Sequence, residues 1–175
     1  MRQLNAEWTM PDGYTLEEIE VDGIAMEWVQ AKGEKPDKAV LQLHGGAYNR
    51  SLAVNGTTYR RAAVKYAEIS GAGVLTVDYR VAPEHPYPAA LEDALFAYNW
   101  LLDQGYEPED IIVAGDSAGG GLTLATALYL RDHDNAGGAD HHVGVDGSGL
   151  QALGAALCGR RPRGQSVHFA RLWRI

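Results

Sequence analysis

Short apolar runs bounded by turn residues alternate along the chain with longer segments in which apolar residues recur every third or fourth position. Two short runs, Leu16–Val21 and Ile24–Gln30, flank Asp22-Gly23, a dipeptide that signals a β-hairpin. Gly33-Glu34-Lys35-Pro36-Asp37 is a turn, and Ala39–Leu43 is a short apolar strand running straight into His44-Gly45-Gly46. Tyr59–Ile69 has Ala62, Ala63, Tyr66 and Ala67 at helical spacing and is ended by Gly71-Ala72-Gly73. Val74–Val77 reads as a buried strand, the proline-rich 83–88 as a loop, and Ala89–Leu102 as a helix with Leu91, Ala94, Leu95, Tyr98 and Leu101 on one stripe. Ile111–Ala114 is a further buried strand, and Leu122–Leu130 a further helix. Strands alternating with helices of this length predict an α/β fold: a mostly parallel sheet with helices on both faces, made mixed by the leading antiparallel hairpin. In such sheets sites form beyond the carboxyl ends of the strands. Both glycine-rich segments, at 44–46 and 115–121, fall there.

Composition narrows the class without naming it. Hydrophobic residues make up 46% and charged residues 22%, as in an ordinary globular domain. The net charge of −8 argues against nucleic acid or an anionic membrane surface as a partner. The single cysteine, Cys158, excludes an intrachain disulfide. The first residues contain no apolar signal region, and no run is long enough to span a bilayer, so a cytoplasmic location is expected. The charge is unevenly placed: residues 1–134 are strongly acidic, whereas 135–175 carry five arginines, no lysine and many glycines. The expected organisation is therefore a partial α/β domain over 1–134, followed by a Gly/Arg-rich tail over 135–175 that is expected to be disordered.

Candidate chemistry sits at the two glycine-rich segments. Gly115-Asp116-Ser117-Ala118-Gly119 fits G-x-S-x-G between a strand and a helix, the setting of a nucleophile elbow. A sharp turn there lifts Ser117 Oγ above the sheet, and the helix N-terminus beneath it favours developing negative charge. The bland alternative is a helix entry capped by Ser117. His44-Gly45-Gly46-Ala47 matches a loop that supplies oxyanion-hole amides, which assigns Gly45, Gly46 and Ala118 as donors. His44 reads as a structural imidazole, because the base in this triad order follows the serine. Asp78, Glu84 or His85 could be catalytic. The favoured reading makes Asp78, Arg80 and Glu84 parts of a salt-bridged, proline-stiffened loop supporting the oxyanion side. Asp116 reads as a carboxylate that stabilises the elbow. No cluster has metal-ligand spacing.

The segments HGGAY (44–48), DYRVAPEHPYPAALED (78–93) and GDSAGGGL (115–122), in this order, resemble the hormone-sensitive-lipase-like carboxylesterases, family IV of the bacterial lipolytic enzymes. The resemblance covers roughly residues 15–134. It implies the N-terminal part of an α/β-hydrolase fold, residues 1–14 as the remnant of a cap, hydrolysis of small carboxylic esters through an acyl-serine on Ser117, and no cofactor. Two positions depart from the family pattern: Ala47 replaces a glycine, and Gly121 stands where asparagine is common. The family's acid and base lie well beyond the nucleophile in D-P-L- and H-G-F-type motifs, which residues 118–175 do not contain. The acid and base are therefore unassigned, and a shift of reading frame or a junction is expected near residues 134–136. His141, His142 and His168, with Asp140 or Asp146, are the only substitutes in the tail. Impaired catalysis is expected, with an inactive fragment or a small-ligand-binding protein as the alternative. An unpaired edge at Ile111–Ala114 would favour self-association.

Overall fold

The computed structural model describes residues 8–134 and a two-residue strand at 144–145. The predicted hairpin is present as β1 (Tyr14–Val21) and β2 (Ile24–Ala31), joined by Asp22 and Gly23, both at positive φ. Three short strands follow: β3 (Ala39–Leu43), β4 (Gly73–Val77) and β5 (Ile111–Gly115). Three helices connect and follow them: α1 (Leu52–Ser70), α2 (Ala89–Asp103) and α3 (Ala118–Asp134). With β6 (Gly144–Val145), the sheet order is β1-β2-β4-β3-β5-β6. The pairs β1–β2 and β2–β4 are antiparallel and the rest parallel, which gives the expected mixed sheet.

Two apolar clusters coat the two faces. Successive side chains of a strand point to opposite faces. Val40, Val74 and Ala114 accordingly meet Ala63, Val64 and Ala67 of α1, while Leu41, Leu43, Leu75, Val77 and Val113 share the second cluster with α2 and with Leu122 and Leu130 of α3. Trp8 and Met10 lie against the first cluster. One polar contact crosses between strands: Thr76 Oγ1 donates to Gln42 Oε1 at 3.1 Å, so both buried groups are satisfied.

Three features differ from the sequence reading. Helix α1 begins at Leu52, ahead of Tyr59; its first N–H donates to Asp78 Oδ1 at 2.6 Å, a cap supplied from β4's exit and not by the adjacent Ser51. Helix α3 begins at Ala118 and not at Leu122, because the helix starts directly at the turn. The edge of β5 is not bare: β6 pairs with it at Ile112 and Val113, so the expected unpaired edge is covered there. Within the tail expected to be disordered, Gly144–Val145 form β6; the rest of 135–175, with His141, His142, His168, Asp140 and Asp146, and the first seven residues of the predicted cap remnant lie outside the described residues.

Candidate active site

Strands β3 and β5 are parallel neighbours with Leu43 opposite Gly115, so the segments leaving them emerge side by side at the carboxyl edge of the sheet. Ser117 sits in the second segment at φ 52°, a left-handed conformation unfavourable for a residue with a Cβ. Such strain persists only where surrounding structure enforces it. The enforcement is visible at the flanking glycines. A Cβ on Gly115 would lie 2.5 Å from Gly119 O, and one on Gly119 would overlap Leu43 O. The turn is therefore pressed against β3 by backbone contacts that only glycines permit. Ser117 is exposed, α3 starts at the next residue, and no described side chain hydrogen-bonds Ser117 Oγ.

The neighbouring segment is equally constrained. Gly46, Ala47 and Tyr48 all have positive φ, at 136°, 54° and 59°. Asn49 N–H donates to Gly46 O at 3.1 Å and closes the turn, while Ala82 N–H donates to Tyr48 O at 2.7 Å and ties it to the loop after β4. The amides of Gly46 and Ala47 have no hydrogen bond to a described residue. Gly45 differs from expectation. Its N–H donates to Tyr59 Oη at 2.6 Å, and that hydroxyl donates to Asp116 Oδ1 at 3.0 Å. Gly45 N–H is thus already engaged within the protein, which removes it from the donors assigned from sequence.

The supporting residues divide between hydrogen-bonded and charged contacts. His44 is fully buried and stacks on Tyr79 with ring centroids 4.0 Å apart. Its Nδ1 lies 2.9 Å from Gly45 O, a contact that only an Nδ1–H can make. Burial pushes the His44 pKa down, against smaller opposing effects of the Gly45 hydrogen bond, Asp78 and Asp116. The ring is thus held on one side by Tyr79 and at Nδ1 by the Gly45 carbonyl. Tyr79 Oη donates to His44 O at 2.5 Å. Arg80 clamps the loop onto α2: its Nε and Nη2 lie 3.0 and 2.7 Å from Asp93 Oδ1, its N–H is 2.8 Å from Asp93 Oδ2, and its Nη2 also reaches Glu92 at 3.1 Å. Glu84 corrects the sequence reading. It is exposed and has no ion pair to a described residue, so the salt bridges of this loop are made by Asp93 and Glu92.

Sequence reasoning therefore missed Tyr59, Tyr79 and Asp93. The only local hint was Asp93, an acidic residue on a helix face that is otherwise apolar; the two tyrosines act through contacts distant in sequence. Gly121 has a local explanation. A Cβ there would lie 3.0 Å from Tyr48 Oη, so the tyrosine hydroxyl fills the space beside it.

A profile of the alpha/beta hydrolase fold family matches residues 40–156, two thirds of the chain and past the composition change near residue 135. This chain is an α/β-hydrolase. Among curated relatives, a carboxylesterase/phospholipase, LipF, of Mycobacterium tuberculosis is 36% identical over 131 residues, which cover 73% of this chain and 34% of LipF. An acetyl-hydrolase of Streptomyces hygroscopicus is 40% identical over 114 residues, 65% of this chain and 37% of that protein. The solved structure of EstE5 soaked with p-nitrophenyl butyrate is 45% identical at a TM-score of 0.64, covering 73% of this α/β-hydrolase and 42% of EstE5. An esterase of the bacterial hormone-sensitive lipase family is 38% identical at a TM-score of 0.61, covering 78% and 43%. These structures bear out the resemblance to hormone-sensitive-lipase-like esterases. The α/β-hydrolase chain spans about two fifths of the length of the relatives it matches.

Proposed function

We propose that this chain carries the nucleophile portion of a serine carboxylic-ester hydrolase. Ser117 Oγ attacks the carbonyl carbon of a small ester and loses its proton to a base; the alcohol leaves, and water then cleaves the acyl-serine. The observation that carries this reading is Ser117 itself, exposed at φ 52° between β5 and the first residue of α3. The tetrahedral oxyanion would be met by the amides of Gly46 and Ala118, joined by Ala47, since Gly45 N–H is engaged by Tyr59. His44, Asp78, Arg80 and Asp116 hold this edge of the sheet, while the acid and base are not assigned. The p-nitrophenyl butyrate soaked into EstE5 and the name of the Streptomyces acetyl-hydrolase support esters of short acyl groups as substrates.

A second reading, reduced turnover by this polypeptide, rests on one observation: no described side chain hydrogen-bonds Ser117 Oγ. A fluorophosphonate probe applied to the 175-residue chain, beside circular dichroism, tests both. The probe is expected to label Ser117, and Ser117→Ala to abolish labelling. Folded protein that stays unlabelled would overturn the nucleophile assignment. Turnover of p-nitrophenyl butyrate equal to that of a full-length relative would overturn the reduced-activity reading.

A further inference from the structure

We infer that Tyr59 is a positioning residue: its hydroxyl ties Gly45 of the oxyanion loop to Asp116 of the nucleophile elbow and thereby sets how the loop's free amides stand relative to Ser117. The inference rests on the reading of Ser117 as a nucleophile, but the tie itself is independent of that reading.

Tyr59 projects from α1, an element that belongs to neither segment, and its side chain is largely buried. Its Oη accepts from Gly45 N–H and donates to Asp116 Oδ1, so one oxygen bridges two turns that leave different strands. The chain N–H to O–H to carboxylate is polarised in a single direction, which strengthens each bond. Burial, as the leading cause, raises the Tyr59 pKa, and the hydroxyl therefore remains both donor and acceptor around neutral pH. The fit is close: a Cβ on Gly45 would lie 3.0 Å from Tyr59 Oη, 3.0 Å from Asp116 O and 3.1 Å from Asp116 Oδ2. Gly45 is a glycine because the clamp closes on it. Engaging that amide leaves the next two in the loop, those of Gly46 and Ala47, without a described acceptor, where a developing negative charge can use them. The aromatic ring has a separate packing role against His44, at 5.7 Å between centroids, and a phenylalanine would keep it.

The test uses the 175-residue chain as wild type, Tyr59→Phe and Asp116→Ala, with fluorophosphonate inactivation resolved into a maximal rate and a half-saturating concentration. Tyr59→Phe is expected to lower the maximal rate on the order of tenfold or more and to leave half-saturation within about twofold, because misplacement costs the bond-forming step and not probe binding. In parallel, hydrogen exchange at the Gly45 amide, read by NMR, is expected to rise about tenfold or more in both variants, with Leu75 in the central sheet unchanged. Unchanged Gly45 exchange in both variants overturns the tie. Unchanged inactivation with raised Gly45 exchange overturns the positioning role. Should wild type fail to label, the nucleophile reading falls and the exchange measurement alone decides the tie. Should Tyr59→Phe fail to fold, Asp116→Ala, which keeps the tyrosine, carries both readouts.

Discussion

Two segments leave the carboxyl ends of the adjacent strands β3 and β4, and they are held in place by different forces. The first, residues 44–48, is fixed together with the elbow by backbone contacts, positive φ angles and the Tyr59 hydroxyl. The second, residues 78–88, adds charged contacts to its backbone bonds and the Tyr79 stack: Asp78 at the start of α1, and Arg80 across Asp93 and Glu92. Backbone contacts act over tenths of an ångström and set geometry closely. Ion pairs tolerate more slack and act over longer distances. The geometry-setting contacts surround Ser117, and the charged ones form the layer behind it. Steric substitutions should therefore damage the first segment most, while charge, salt and pH should act on the second and on its contact with His44.

The largest expected effect is steric. Gly119→Ala places a methyl on Leu43 O, backbone against backbone, and neither partner can rotate away. A loss of about 3 kcal/mol is expected in urea unfolding, typical of the upper range for overpacking, together with loss of Ser117 labelling. Loss of labelling without destabilisation would separate the elbow from the sheet and break the comparison. Next comes the clamp on the second segment. Arg80→Ala leaves the buried Asp93 carboxylate, among the described residues, with only the backbone N–H of position 80, at an expected cost of about 2 kcal/mol, moderated because the arginine itself is half exposed. Arg80→Lys should recover only part of this, since an ammonium cannot span both carboxylate oxygens. A full recovery would show that charge alone, without bidentate geometry, holds the loop.

The smallest effect is expected from pH. His44 has a lower pKa in the fold than in the unfolded chain, chiefly through burial. The unfolded chain therefore binds the proton first as acid is added. Stability is complete above the ordinary histidine value of 6.5 and is lost as the pH falls from there through the folded value. Urea midpoints between pH 7.5 and 5.5 should decline for wild type and flatten for His44→Asn. An unchanged slope in that variant would assign the decline to other groups.

How much of this was legible in the sequence follows from the range of each signal. The hairpin at Asp22-Gly23, the strands β3, β4 and β5, and the elbow were read correctly because turn dipeptides and apolar runs are local. The start of α1 was not, since Asn55, Gly56, Thr57 and Thr58 are weak helix formers and the cap comes from Asp78. The start of α3 was obscured by Gly119, Gly120 and Gly121, which helix propensity disfavours, although Gly119 is required by its backbone contact with Leu43 and Gly121 lies beside Tyr48 Oη. Within the site, the Ser117 turn was visible as spacing. The engagement of Gly45 was not, because its partner is one side-chain oxygen on a helix whose sequence reports only its apolar stripe. Glu84 was misread for the converse reason: a charged residue in a proline-rich loop looks like an ion-pair partner, but the pairing carboxylates reside on α2.

Strand β3 lies between β4 and β5, although β5 is made much later in the chain than either. The contact of Leu43 with Gly119 closes a length of chain that holds both intervening helices. The contact between the two segments is therefore long-range in sequence, and closing it costs more chain entropy than the local contacts of either segment. A ribosome that has released only the first hundred residues has produced residues 44–48 and their contacts with Tyr59, Tyr79 and Ala82, but not the turn at Ser117 that packs against Leu43. Assembly of the site is thus a report on completion of the sheet, because Asp116 closes on Gly45 and Tyr59 only once β5 lies beside β3.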